Sequence, residues 1–148
     1  MPVISTVRGG ASCVTANVFF MAHRFDKHYT REEARALLPQ VRQWLAEISR
    51  LREDVQRYEK RLGGLTDSGN DIGGDTVNSW IRALAGMQEV LAEFQQRRIF
   101  LKDLSRGLVD FPAIIGGREV FLCWEQDEDD VEFWHDLETG FGGREKLP

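Results

Sequence analysis

Apolar residues recur along the first half of the chain at alternating spacings of three and four: Ala34, Leu37, Val41, Trp44, Ile48, Leu51, Val55, Tyr58 and Leu62. This is a heptad seam sustained over about four repeats, the pattern of a helix that packs lengthwise against another helix, as in a coiled coil. Thr30 can cap its first turn, and Glu33, three residues on, can return a bond to the Thr30 backbone N–H. Pro39 removes one backbone bond and crowds the Arg35 carbonyl, which predicts a kink near Leu38. Gly63-Gly64 predicts the end of the helix.

Residues 63–75 read as a Gly- and Asp-rich connection. A phosphate cradle would need a Gly-Lys-Ser/Thr ending and a preceding strand, and this stretch has neither. Asp75 or Thr76 is placed to cap a second helix, whose Val77, Trp80, Leu84, Met87, Leu91 and Phe94 repeat the three-four alternation. Two such seams predict an antiparallel helical hairpin over 30–96. Fraying is expected at 95–98, followed by a short strand from Ile99 to Asp103.

The period then changes from helical to strand-like. Two runs rich in Val, Ile, Phe, Leu and Trp flank Gly116-Gly117, a pair able to take the positive φ angles of a two-residue turn. The implied register opposes Ile115 to Arg118, Ala113 to Val120, Phe111 to Leu122, Val109 to Trp124 and Asp110 to Cys123. Side chains alternate along a strand, so Val109, Phe111, Ala113, Val120, Leu122 and Trp124 share an apolar face meant for the core. The other face is mixed and carries Asp110, Pro112, Ile114, Glu119, Phe121, Cys123 and Glu125. Pro112 cannot donate to a ladder, which predicts an edge strand or a bulge there. Neither a lone hairpin nor a single amphipathic helix is stable, so the expected fold is α+β: a long antiparallel helical hairpin packed on a small antiparallel β-sheet, the β-rich part spanning 99–148.

With 148 residues and 42% hydrophobic residues, the chain fits one domain at 21–148. Met1 to Phe20 lacks an apolar period and reads as a disordered or mis-assigned extension, with Met21 as an alternative start. The formal charge of −5 argues against general nucleic-acid binding, and no stretch suggests a membrane span. Cys13 and Cys123 form neither a disulfide framework nor a zinc spacing, which suits a cytoplasmic protein, and no cofactor is implied.

Leu101-Lys102-Asp103-Leu104, Gly107-Leu108-Val109-Asp110-Phe111-Pro112, Gly117 to Trp124, Phe133-Trp134-His135 and Gly140-Phe141-Gly142-Gly143-Arg144 form a set of motifs, opened upstream by Thr30 to Ala34 with Leu37-Leu38-Pro39. The chain from about Phe25 to Leu147 resembles the bacterial domain-of-unknown-function family 2203. Arg97-Arg98 stands where a helix-ending glycine would be expected. The resemblance implies a small cytoplasmic protein and supplies no catalytic residue.

The candidate ligand-binding residues are Asp110, Arg118, Glu119, Cys123, Trp134, His135 and Arg144. Within them, Asp110, Cys123 and His135 form a weaker metal alternative, outweighed by a packing role for Cys123, and Arg118 with the glycine-rich stretch before Arg144 could hold a small anion. Eight carboxylates between Glu119 and Asp136, with no Lys or Arg among them, oppose an anion and read as a solvated acidic loop. Both arginines could instead pair with Glu119, Glu125 or Asp136. No spacing identifies a reaction. The favoured function is therefore a non-enzymatic, self-associating interaction or regulatory module with a protein partner, most simply a homodimer, because Leu38, Leu45, Ile81 and Val90 widen the helical stripe beyond one partner helix. The alternative is a small-anion-binding or metal-dependent site on the mixed hairpin face.

Overall fold

The computed structural model describes residues 22–69 and 74–148; the expectations for Met1 to Phe20, Met21 and Cys13 lie outside them. Two helices, α1 (Arg31–Asp67) and α2 (Asp75–Gln96), precede five strands: β1 (Phe100–Asp103), β2 (Leu108–Ile115), β3 (Arg118–Trp124), β4 (Phe133–Asp136) and β5 (Glu145–Lys146). The strands form one antiparallel meander in chain order. The architecture is the expected α+β.

The helix start follows the sequence. Glu33 N–H donates to Thr30 Oγ1 at 3.1 Å and Thr30 N–H donates to Glu33 Oε2 at 2.8 Å, closing the capping box. The predicted end does not hold, because α1 continues through Gly63 and Gly64 to Asp67. Glycine in a helix costs about 1 kcal/mol relative to alanine, and a long preformed helix offsets that by adding one backbone bond per residue. Pro39 sits on the exposed side of an unbroken α1.

Neither Asp75 nor Thr76 caps α2. Gly74 is the cap residue and makes no side-chain bond, while Asp75 opens the first turn, where its charge suits the helix dipole. At the other end Arg98 takes the left-handed position with φ 57°. Arg98 N–H donates to Gln95 O at 3.1 Å and Ile99 N–H to Phe94 O at 2.9 Å, a Schellman closure with arginine where glycine is usual.

The β2–β3 register is the one written from the sequence, pair for pair from Val109↔Trp124 to Ile115↔Arg118. Gly116 and Gly117 both have positive φ, 58° and 79°, as a type I′ turn demands. Pro112 is not on an edge strand, since β2 is flanked by β1 as well as β3. Its pair with Phe121 falls at a non-hydrogen-bonded position, so the missing N–H would point toward β1's side, beyond the last β1 partner at Asp110. There the Pro112 carbonyl accepts from Tyr29 N–H at 2.6 Å.

The apolar face packs as expected. Val109, Phe111, Val120, Leu122 and Trp124 are almost fully buried against Leu38, Val41, Trp44, Leu45 and Ile48 of α1. Beyond Ile48 the hairpin leaves the sheet, and a second cluster of Leu51, Val55 and Ala83 packs only helix on helix. The acidic run is solvated at Asp127 and Asp129, as expected, but not throughout. Asp130 accepts from Arg35 and, at 3.2 Å, from Arg31, while Arg42 donates to the Glu128 carbonyl at 2.8 Å, so the loop clamps the start of α1 to the sheet. Arg35 and its neighbours hold the Asp130 carboxyl down to about 2, against the opposing effect of burial.

Candidate functional site

The mixed face of the sheet is roofed by chain. Phe25, from the segment before α1, stacks on Phe100 and Phe121 at 5.3 Å each, and Phe121 lies 5.5 Å from the His135 ring. A bulge at Lys102 in β1 brings its ammonium over the Phe100 and Phe121 rings, at 5.4 and 5.2 Å. Segment 22–29 is pinned by Glu119. Its carboxylate accepts from Arg24 N–H at 2.6 Å and Phe25 N–H at 2.9 Å and lies 2.8 Å from His28 Nε2. Burial works against its charge, but the His28 imidazole and the two N–H groups prevail and hold it down to about 2.

Beneath this roof the structure brings together Asp110 of β2, Cys123 of β3 and His135 of β4. All three are at most 2% exposed, and their ligating atoms lie within 4.8 Å of one another. Asp110 and Cys123 are cross-strand partners, and His135 reaches across β3 to place Nε2 3.1 Å from Asp110 Oδ2. Its other ring nitrogen, Nδ1, lies 2.7 Å from the Asp136 carbonyl. A carbonyl only accepts, so Nδ1 carries a proton, and Nε2 is the ring nitrogen that faces Asp110. Asp110 Oδ1 is buried and meets no donor. Burial raises the Asp110 carboxyl, opposed by His135 and Lys102. Burial and the Asp110 charge push the Cys123 thiol up to about 12, so this sulfur is no ready nucleophile. The arrangement can hold a proton or a cation between Asp110 and His135.

Of the other candidates, Arg144 reaches the cluster and Arg118 does not: the Arg144 guanidinium contacts the Cys123 thiol and works against its upward shift, pairs with Glu128 at 2.6 Å and lies over Phe133 and Phe141 at 4.1 and 4.2 Å, whereas Arg118 opens β3 and pairs with Asp136 at 3.0 Å. Trp134 faces Leu122 on the core side. Sequence reasoning missed His23, His28 and Phe25. His23 Nδ1 and His28 Nε2 lie 4.0 and 2.8 Å from Glu119, and the only advance signal was the density of aromatic and imidazole rings between His23 and Tyr29.

A second feature lies on α2. Ala83 is buried, and a Cβ on Gly86 would come within 3.2 Å of the Leu51 side chain, so small residues set the close approach to α1. The expected seam is rotated by this approach, leaving Val77, Leu84 and Leu91 half-buried and Ile81 52% exposed. The four charges of α2, Asp75, Arg82, Glu89 and Glu93, fall within about 40° of one another around the helix at 100° per residue. The face of Val77, Ile81, Leu84, Ala85, Gln88, Leu91, Ala92 and Gln95 carries no charge; Leu84 and Leu91 at its edge pack against the core clusters, and Ile81, Ala85, Gln88 and Gln95 are exposed. Leu38 and Leu45 are spent on the core, and Val90 packs against it, so of the four residues expected to widen the stripe only Ile81 stays outside.

No helix among the described residues is long and apolar enough to cross a membrane. A family model described as an uncharacterized conserved protein (DUF2203) matches residues 27–147. No curated protein and no solved structure matches.

Proposed function

The chain belongs to the uncharacterised conserved family DUF2203, and from that premise we propose a non-enzymatic interaction module that works by self-association, two copies pairing along the open face of α2. One observation carries this reading: a helix of 22 residues keeps every charge on one stripe and leaves an uncharged face toward solvent, with Ile81 exposed at its centre and Val77, Leu84 and Leu91 half-buried around it. Surface helices ordinarily place charge there. An occupant that brings Lys, Arg, Asp or Glu would bury it without a partner, which disfavours an ordinary protein surface and favours a second copy of the same face. About a two-fold axis near Gly86, an antiparallel copy sets Ile81 against Leu91, Leu84 against Gln88 and Val77 against Gln95. No charge is opposed or buried.

The alternative of a small-anion site draws less support, because Arg118 and Arg144 stand apart and each is engaged by a carboxylate. Enzymatic use of Cys123 is also disfavoured by its raised thiol and its burial. Light scattering at micromolar concentration tests the proposal. A mass twice the 17.0 kDa of the chain is expected, and a clean monomer mass rejects it.

A further inference from the structure

We propose that Asp110, Cys123 and His135 form a binding site for one divalent transition-metal ion of the zinc class, set into the second face of the sheet. This goes beyond self-association and does not depend on it. Three independent features of the geometry point to it. The three donors come from three adjacent strands whose register fixes them on one face, so the backbone and not a loop positions them. His135 has the outer bond that metal-bound imidazoles commonly have, its Nδ1–H given to a backbone carbonyl at 2.7 Å, which turns Nε2 inward, 3.1 Å from Asp110 Oδ2, as the ligating nitrogen. Asp110 Oδ1 is a fully enclosed carboxylate oxygen with no donor, a group that folded proteins seldom leave unsatisfied.

The donor set selects the ion. A thiolate with an imidazole and one carboxylate suits zinc, iron(II) or cobalt(II) and does not suit magnesium or calcium, which take oxygen ligands. Tetrahedral bonds of about 2.0–2.3 Å place ligand atoms about 3.3–3.7 Å apart. The 3.1 Å between His135 Nε2 and Asp110 Oδ2 is already close to such an edge, and the longest separation, within 4.8 Å, closes by side-chain rotation. On binding, the Cys123 S–H bond breaks, sulfur keeps the electron pair as thiolate, and the proton leaves to solvent. Thiolate and carboxylate then supply two negative charges to neutralise the ion. Two cations stand beside the site: Lys102 lies over the Phe100 and Phe121 rings, and Arg144, paired with Glu128, also contacts the Cys123 sulfur, where it favours the thiolate that the ion needs.

The experiment uses the full chain without a histidine tag, first stripped with chelator, then loaded with zinc or cobalt(II) and passed over a desalting column. One equivalent of metal is expected to remain. The cobalt form should show the visible bands of a tetrahedral ion and a sulfur-to-cobalt charge-transfer band in the near ultraviolet. Cys123→Ala should lose the charge-transfer band, and His135→Gln should weaken binding at least tenfold, while His23→Ala with His28→Ala should change neither. A wild-type protein that retains no metal overturns the proposal. So does a bound cobalt without the sulfur band, a reading on the wild type that stands even if a buried variant fails to fold. Binding lost in the His23 and His28 variant alone would place the ion on the Glu119 cluster and would equally overturn it.

Discussion

The second face of the sheet and the open face of α2 depart from the ordinary sorting of side chains in opposite directions. On the sheet, an ionisable aspartate, thiol and imidazole lie where water does not reach; on α2, Ile81 lies where it does, with Val77, Leu84 and Leu91 half-buried beside it. Both arrangements cost free energy in an isolated chain, through desolvation in the first case and exposed apolar area in the second. Each cost is relieved by a different kind of partner, a proton or cation for the buried polar cluster and an apolar surface for the helix. The apolar face of the sheet, where sorting is complete, is covered within the chain by α1 together with Tyr29 and Phe94.

The largest effect that sharpens this contrast comes from splitting the buried pair. In the presence of chelator, His135→Ala should lower the unfolding free energy by about 3 kcal/mol, because it strands the buried Asp110 without its imidazole partner. Asp110→Leu combined with His135→Leu should lose much less than the two single changes summed. Urea titrations of the wild type, His135→Ala, Asp110→Leu, His135→Leu and the double variant check this, and additive losses would show that the pair does not act as a unit.

A smaller effect tests the roof over that cluster. The folded Glu119 carboxyl is depressed to about 2 from the ordinary 4.5, so its contribution is fully present above the ordinary value and is lost as pH falls toward about 2. Glu119→Gln should cost about 1–2 kcal/mol at pH 7, after allowance for solvent screening, and should flatten the acid limb between about pH 4.5 and 2. Asp130 titrates in the same window, so the slope shrinks without vanishing. An unchanged acid limb in denaturation curves would mean that Glu119 does not hold segment 22–29. The smallest effect is a gain: Arg98→Gly relieves a left-handed arginine and gives up two exposed contacts, the pair with Asp26 and a guanidinium bond to the Gln95 carbonyl, so the melting temperature should rise slightly in a thermal scan. A fall would show that the Asp26 pair matters more than backbone strain.

How far the sequence discloses this molecule depends on whether the signal is local. The β2–β3 register could be read because two glycines force the turn and strict alternation forces the faces. The capping box of α1 was equally local. The polar cluster was readable only in part, since Asp110 and Cys123 are set by the hairpin whereas His135 joins them through β4, a four-residue strand with no turn signature before it. The roof was hidden for the same reason: Phe25 and His28 meet Phe121 and Glu119 across more than 90 residues. The rotation of the α2 seam came from Ala83 and Gly86, small residues that a search for large apolar positions passes over. The acidic run looked solvated because its partners, Arg31, Arg35 and Arg42, lie on a helix about 90 residues earlier, a distance that charge spacing along the chain cannot bridge.

The central claim, that α2 carries the self-association surface, is tested most directly by two substitutions at the exposed large apolar residues of the described chain, Ile81 on α2 and Ile114 near the hairpin turn, 52% and 42% exposed. Light scattering should give Ile81→Glu the 17.0 kDa mass of a single chain while Ile114→Glu keeps the doubled mass of the wild type. Equal masses for the two variants, whether both single or both doubled, would contradict the assignment of the surface to α2.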